Sequence, residues 1–180
     1  TPVRNMWDDM RMELNVGQYL DMLGSARRER SREVADRICR YKSGKYTIER
    51  PLHIGALLAH PDNADTVLHQ LSAYGLPLGD AFQMRDDVLG AFGDESVTGK
   101  SVGGDLREGK PTPLLACATQ RATTAQLAIL RTVGQEDLTD SDITAIQQVI
   151  IETGALNELE DLITSLRDEA ISALAHTTLG

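Results

Sequence analysis

Two adjacent carboxylates in a stretch of helical periodicity are the residues of this chain best placed to do chemistry. Asp86 and Asp87 follow Gln83 by three and four positions, so the amide and both carboxylates share one face of a helix. Neighbouring like charges repel unless a cation neutralises them, and Mg²⁺ is a hard cation that prefers oxygen ligands. The pattern indicates a magnesium site, while the alternative for an Asp-Asp pair taken alone is an exposed, solvated acidic turn.

A glycine-rich stretch with basic side chains follows the two aspartates. Five glycines occur from position 93 to position 112 with almost no apolar periodicity, which predicts a long functional loop. It carries Lys100, Asp105, Arg107 and Lys110 among its charged residues. Carboxylates that hold Mg²⁺, opposed by lysines on a loop, form a cradle for a phosphate group, because the metal ion and the ammonium groups share the charge of the ligand.

Four ordered blocks of the sequence resemble the motifs of one enzyme family, the trans-type isoprenyl (polyprenyl) diphosphate synthases. Its second aspartate-rich motif and the following loop are matched by GDAFQMRDDVL at 79–89 and by the segments 93–94, 97–100 and 105–110. Its GQxxD helix is matched by GQYLD at 17–21, and its lysine-then-hydroxyl signature by YKS at 41–43. With YTIERPL at 46–52, the resemblance covers most of residues 5–115.

The resemblance implies a fold and an activity. The fold is the all-α helical bundle of the isoprenoid (terpenoid) synthases. The activity is that of a prenyltransferase, which condenses isopentenyl diphosphate with an allylic diphosphate by magnesium-assisted ionisation, carbocation attack and proton loss. In this family the released diphosphate is the favoured base for the final proton loss, so no side chain is assigned as a general base.

The resemblance also implies which residues bind metal and substrate. Asp86 is expected to ligate a magnesium ion, and Asp87, Asp105 and Asp21 to hold its waters. Substrate contacts are expected from Lys42 and Lys100 on the allylic diphosphate, from Lys110 at the rim of the same pocket, and from Gln18 near the place where the carbocation forms. The place where the carbocation forms is expected to be lined by Lys42 (through its carbonyl), Ser43 and Gln83.

The sequence departs from the family pattern in two respects. Gly90 stands where the second motif usually has its last acid, and from this we expect Gly90→Asp to raise the magnesium affinity or leave it unchanged. The first aspartate-rich motif, which supplies the ligands of two further magnesium ions, is not found. The chain is therefore expected to be the C-terminal half of such a synthase and inactive alone. Asp8 and Asp9 are interpreted as acids that favour the dipole of a first helical turn.

Two other functions remain open beside the prenyltransferase. One is a non-catalytic regulatory subunit or truncated paralogue of such a synthase. Asp86, Asp87, Lys42 and Lys100 argue against it, because a purely structural subunit gains nothing from keeping adjacent acids and lysines at the positions of the family motifs. The other, a terpene cyclase on the same fold, is disfavoured because the GQxxD and lysine-then-hydroxyl blocks are similar to those of chain-elongating members.

Composition and charge restrict the partners and the compartment. The 180 residues carry a formal net charge of −9, which argues against nucleic acid because such binding needs Lys and Arg to neutralise phosphates. Two cysteines outside any CxxC pattern and four scattered histidines indicate neither a disulfide framework nor a zinc site, which favours a reducing cytoplasm. The apolar runs are far shorter than the roughly 18 residues that span a bilayer. The resemblance implies a homodimer.

Apolar periodicity predicts a single all-α domain over residues 1–180. The first helix is predicted to end near Gly24, and the second near Lys42, with Ser43-Gly44 as its stop. Further helices are predicted from Thr47 to Ala59, from Ala64 to Phe92 with a kink or interruption at Pro77, from Thr112 to Gln120, from Ala122 to Val133, from Ser141 (capped by Asp140) to Thr153, and from Ala155 to Ala175.

Overall fold

The computed structural model of the chain describes residues 1–59, 64–93, 103–175 and 177. Within these ranges the regular structure is helical and contains no strand, which confirms the predicted all-α class. In chain order the helices are α1 (Pro2–Ala26), α2 (Arg32–Ile38), a π-helix (Cys39–Glu49), α3 (Arg50–Ala59), α4 (Ala64–Phe92), α5 (Gly104–Glu108), α6 (Pro113–Arg121), α7 (Thr124–Leu130), α8 (Asp140–Glu152) and α9 (Ala155–Ala175). Among them, none combines the length and the apolar character needed to cross a bilayer.

The chain divides into two compact units. Unit 1 comprises Thr1–Tyr19, Arg37–Gln83 and Leu162–Gly180, and unit 2 comprises Leu20–Asp36 and Met84–Asp161. Compactness alone does not make a unit an independent domain, so the single domain over residues 1–180 stays a prediction. The largest fully buried side chains of unit 2 come from α6, α7, α8 and α9, among them Leu114, Leu130, Ile146 and Leu159.

The predicted helix stop at Ser43-Gly44 is wrong, because the chain continues through it as a π-helix. The backbone N–H of Arg50 donates to the carbonyl of Lys45, five residues earlier, as π-helical geometry requires. Gly44 has another role. A Cβ atom added to Gly79 would lie 2.5 Å from the oxygen and 2.7 Å from the Cα of Gly44, so two glycines let α4 and the π-helix approach closely.

Three other boundaries differ from prediction. Part of the predicted loop is helical, since Gly104–Glu108 forms α5. The helix α4 runs through Pro77 without an interruption, and the kink given as the alternative stays a prediction. The cap of α8 is Thr139 and not Asp140. Its Oγ1 accepts from the backbone N–H of Asp142 at 3.2 Å, and the carboxylate of Asp142 accepts from the backbone N–H of Thr139 at 2.9 Å.

A half-buried ion cluster in unit 1 joins α1, the π-helix and α3. The carboxylate of Glu13 accepts from Lys45 Nζ at 2.5 Å and from Arg50 Nε and Nη2 at 2.7 Å each. Burial alone would raise the pKa of Glu13, but the hydrogen bonds from Arg50 and Lys45 outweigh it and hold the pKa below its ordinary value. Glu13 therefore stays ionised and ties the π-helix to α1.

A second buried network lies beside this cluster and determines the tautomer of His53. Arg50 Nη1 lies 3.2 Å from His53 Nδ1, and because a guanidinium only donates, Nδ1 accepts. Nε2 then carries the proton and donates to the carbonyl of Leu68 at 3.1 Å and to Ser72 Oγ at 3.0 Å. Ser72 in turn donates to Glu49 at 2.7 Å. His53 is thus a neutral, structural histidine.

We expect His53 to make folding stability depend on pH. Burial lowers the pKa of His53 below its ordinary value of 6.5, and the nearby Arg50 lowers it further, against the opposing effect of Glu49. As the pH falls through 6.5, the unfolded chain binds this proton first, so the free energy of unfolding decreases, by at most ~1.4 kcal/mol per pH unit.

Urea unfolding between about pH 7.5 and pH 5.5 measures this slope. The variant His53→Gln is expected to be less stable throughout and to lack this part of the slope. His69→Gln, at an exposed position on the same unit, should leave the slope unchanged. An equal slope in His53→Gln and wild type would show that other groups cause the pH dependence.

Candidate active site

Unit 1 brings together the four predicted residues that it contains, because α1 and α4 both contact the π-helix. Lys42 and Ser43 lie within the π-helix, Gln18 on α1 and Gln83 on α4. A Cβ atom added to Gly17 would lie 2.5 Å from the nitrogen and 2.7 Å from the Cα of Lys42, so α1 crosses the π-helix directly at Lys42.

The same arrangement places Ser43 next to the second crossing. Gly44 follows Ser43 and meets Gly79 of α4, while Gln83 lies one helical turn beyond Gly79. Lys42, Ser43 and Gln83 are half-buried, and Gln18 is exposed. A π-helix shifts the carbonyls out of α-helical register and is frequent at functional sites. In the π-helix of this protein, the altered register includes Lys42 and Ser43, which are the lysine and the hydroxyl residue of the lysine-then-hydroxyl signature.

One buried acid of unit 1 has no role in the sequence prediction. Asp80 is 6% exposed and forms an ion pair with Arg40, whose Nε lies 3.5 Å from Asp80 Oδ1. The thiol of Cys39 donates to the carbonyl of Asp80 at 3.8 Å. Asp80 belongs to the matched block 79–89, but nothing local marks it as buried, since its partner Arg40 lies 40 residues earlier. It fixes α4 against the start of the π-helix.

Unit 2 contains the predicted acidic residues. Asp86 and Asp21 are half-buried, while Asp87 and Asp105 are only 6% and 8% exposed. Asp86 and Asp87 lie near the C-terminal end of α4, and Asp105 lies in the first turn of α5. Buried carboxylates are rare unless they are paired or bind a cation, so these positions are unusual for a solvated acidic turn.

Lys110 supplies the cation opposite Asp105. Its Nζ forms an ion pair with Asp105 and a second one, at 3.1 Å, with Glu108. Burial would lower the pKa of Lys110, but the pairing with Asp105 and Glu108 outweighs it and raises the pKa above its ordinary value. Lys110 therefore remains an ammonium group at neutral pH. Lys100 lies outside the described residues.

Gly90 is in contact with Asp105, and this contact gives a packing reason for a glycine at position 90. A Cβ atom added to Gly90 would lie 2.5 Å from Cγ and 3.2 Å from Cβ of Asp105. The Asp105 carboxylate thus occupies the space that a side chain at position 90 would need. The expectation that Gly90→Asp raises or preserves magnesium affinity does not fit this packing, because any side chain there displaces Asp105.

We expect Gly90→Ala to turn the Asp105 carboxylate away and break its ion pair with Lys110. The overpacked site should lose about 1–3 kcal/mol of stability. The matched control is Gly55→Ala on α3, where an added Cβ meets nothing within 4 Å and helix propensity predicts a gain of about 0.5–1 kcal/mol. Chemical denaturation of both variants measures the difference. Equal stability of Gly90→Ala and Gly55→Ala would contradict the proposed contact.

The carboxylate side chains of unit 2 fit one class of metal site. In the part of the chain that the structure describes, no three His, Cys, Asp or Glu side chains come together as a metal-binding group. A closed protein cage is therefore not formed by the described residues. Mg²⁺ needs no such cage, since it usually keeps several waters and is held by one or two carboxylates together with substrate phosphates. Asp86, with Asp87 beside it, meets that requirement.

Comparison with known proteins relates the chain to one family. The family model for polyprenyl synthetase matches residues 2–150. A geranylfarnesyl diphosphate synthase from Aeropyrum pernix is 34% identical over 151 residues, which cover 83% of this chain and 45% of that protein. A geranylgeranyl diphosphate synthase from Saccharolobus solfataricus is 38% identical over 111 residues, 61% of this chain and 33% of that protein.

The fold is shared with solved structures of the same kind. The crystal structure of geranylgeranyl pyrophosphate synthase from Corynebacterium glutamicum, complexed with isoprenyl diphosphate and magnesium, superposes with a TM-score of 0.93 at 39% identity. The match covers 99% of this chain and 50% of that protein. This confirms the predicted isoprenoid synthase fold. The chain spans half or less of the length of these relatives.

Proposed function

Since the chain belongs to the polyprenyl synthetase family, we propose that it acts in the condensation of isopentenyl diphosphate with an allylic diphosphate. The observation that carries this proposal is the acidic set of unit 2. Asp86 and Asp87 lie near the C-terminal end of α4, and a buried carboxylate, Asp105, is paired with the charged Lys110. Such a set suits a ligand that brings both a divalent cation and phosphate groups.

Magnesium would be held by Asp86, with Asp87, Asp105 and Asp21 orienting its waters. When bound, it would stabilise the negative charge that grows on the diphosphate as the carbon–oxygen bond breaks. The donor chemistry supports this assignment, because hard carboxylate oxygens are what Mg²⁺ selects.

Lysines would bind the diphosphate itself. We propose this role for Lys42, Lys110 and Lys100, with Gln18 as a further polar contact. An ammonium group that is already in place favours departure of the diphosphate without reorganisation. The high pKa of Lys110 supports its part, because the group keeps its charge over the whole physiological range.

The carbocation would form beside Ser43, Gln83 and the carbonyl of Lys42. Carbonyl, hydroxyl and amide dipoles stabilise positive charge without offering a strong nucleophile, and half-burial limits the access of water. The π-helix supports this role because its register change lies at the carbonyls around Lys42. The departing diphosphate would accept the final proton.

Assembly and compartment complete the proposal. A homodimer follows from the family resemblance. A cytoplasmic location is supported by Cys39 and Cys117, which are buried thiols of a kind that a reducing compartment preserves. Analytical ultracentrifugation tests the dimer.

A chimera tests the proposed reaction. In it, this chain replaces the matching half of the Corynebacterium glutamicum enzyme, with which it shares 39% identity. With radiolabelled isopentenyl diphosphate, an allylic primer and Mg²⁺, a chimera that melts cooperatively is expected to form longer prenyl diphosphates. A folded chimera that binds both substrates but forms no product would favour the non-catalytic subunit instead.

A further inference from the structure

Three arginines border one cavity of unit 2, and none of the residues assigned to catalysis lines it. The cavity has a volume of about 380 Å³ and is lined by Arg28, Arg30, Thr119, Leu127, Leu130 and Arg131. The arginines come from the segment between α1 and α2 and from the end of α7, and the leucines from α7 itself. One side of the cavity is therefore cationic and the other apolar.

This gathering of positive charge is unusual for the chain, whose formal net charge is −9. Among the described residues, no carboxylate forms an ion pair with Arg28, Arg30 or Arg131. The nearest acid in sequence, Glu29, uses its carboxylate to accept from the backbone N–H groups of Arg30 and Ser31, at 2.8 Å each. Within the described ranges, the three guanidinium groups thus have no carboxylate at ion-pair distance, and Glu29 acts on Arg30 only as a nearby charge.

Arg30 is held in place by main-chain carbonyls. Its Nη1 donates to the carbonyl of Glu29 at 2.8 Å, and its Nη2 donates to that of Val133 at 3.4 Å. Burial lowers the pKa of Arg30, and the neighbouring charge of Arg28 lowers it further, against the opposing effect of Glu29. A half-buried cation next to a like charge is stabilised by any anion that enters the cavity.

The backbone at Arg28 is strained in a way that shapes this site. Its φ is 51°, and it is the one described residue other than glycine in the left-handed region. Large side chains rarely adopt that conformation, and strained residues cluster at functional sites. Arg28, in this conformation, and Arg30 both line the cavity.

We propose that this cavity is a second, metal-independent binding site for a short prenyl diphosphate. Guanidinium groups bind phosphate oxygens in pairs through their planar N–H donors, and they need no bridging metal to do so. Leu127 and Leu130 offer apolar surface to a short hydrocarbon group, and the volume suits a small ligand. The choice of ligand rests on the proposed function, while the charge and shape of the cavity do not.

Calorimetric titration of the chain with isopentenyl diphosphate in EDTA tests the site, because chelation removes any metal-dependent binding. Two double variants are compared with wild type. Arg28→Gly/Arg131→Gln removes two cavity arginines and relieves the strained φ at position 28. Arg27→Gln/Arg167→Gln makes the same change in net charge at exposed residues that do not line the cavity. Melting curves establish that each variant folds.

The cavity variant is expected to weaken metal-free binding by at least about tenfold, while the control variant and Asp86→Asn stay within about twofold of wild type. Arg131→Gln alone should give a smaller loss in the same direction. The proposal is overturned if wild type binds nothing in EDTA, if both double variants weaken binding equally, or if Lys42→Gln weakens it instead. Product formation by the chimera is a separate result, so failure of this site and failure of the proposed reaction are distinguishable.

Discussion

Replacing Asp86 by Asn is expected to abolish the magnesium-dependent binding of an allylic diphosphate. The proposed role of Asp86 is to donate a carboxylate oxygen directly to the metal, and an amide is a much weaker ligand for a hard cation. In the chimera, loss of that ligand should lower kcat by at least ~100-fold, or about 2.7 kcal/mol. Calorimetry with dimethylallyl S-thiolodiphosphate, which resists ionisation, measures the binding with and without Mg²⁺.

The matched control is Asp65→Asn, an exposed acid in the first turn of the same helix. It should bind as wild type does and lose only a few tenths of a kcal/mol of stability, from the helix dipole. Because Asn keeps the size of Asp and one of its two acceptor oxygens, Asp86→Asn should melt close to wild type. A loss of about 2 kcal/mol or more without ligand would identify Asp86 as a structural acid instead.

The second large effect is expected for Gly17→Ala, which should destabilise unit 1 and move Lys42. The added Cβ would meet backbone atoms, Lys42 N at 2.5 Å, Lys42 Cα at 2.7 Å and the carbonyl carbon of Tyr41 at 2.8 Å. A flexible side chain can turn aside, but a helix backbone must shift as a whole. We therefore expect a loss of about 3 kcal/mol in stability and weaker diphosphate binding in the same variant.

Gly55→Ala again serves as the control, because it adds the same methyl group to a helix in open space. Denaturant unfolding gives the stability, and calorimetry with the S-thiolodiphosphate gives the affinity. If Gly17→Ala were as stable as Gly55→Ala, α1 would not cross the π-helix as closely as described. If it lost stability but bound normally, the crossing would not position Lys42 for the ligand.

The helices and the motif could be predicted from sequence because both depend on local pattern. Apolar spacing fixed the ends of α3, α4 and α9 at Ala59, Phe92 and Ala175, where the structure has them. The paired aspartates and the glycine-rich stretch are likewise contiguous. Family resemblance then connected them with the GQxxD and lysine-then-hydroxyl blocks, which lie far away along the chain.

The π-helix could not be predicted, because its cause is not local. Ser43-Gly44 has the composition of a helix end. The chain nevertheless stays helical there. Gly17 of α1 contacts the π-helix at Lys42, and Gly79 of α4 contacts it at Gly44. Both approaches need glycine, but a glycine in a sequence indicates a turn and a close crossing equally well.

Gly90 shows the same limit at the candidate site. Comparison with the family's second aspartate-rich motif indicates only that the usual acid is missing at position 90. In the structure, the Asp105 side chain fills the space that a side chain at position 90 would need. Asp105 lies 15 positions further along the chain. The buried network of Glu49, His53 and Ser72 was missed for a similar reason, because its members lie on separate helices and only their packing joins them.

The most direct test of the magnesium assignment is the anomalous diffraction of Mn²⁺, which replaces Mg²⁺ and can be located in a crystal. Crystals of the chain are grown with Mn²⁺ and dimethylallyl S-thiolodiphosphate. We expect an anomalous peak within coordination distance of an Asp86 carboxylate oxygen, with diphosphate oxygens and waters as the other ligands, and no such peak in Asp86→Asn. A peak elsewhere, or bound diphosphate with no metal at Asp86, would contradict the account.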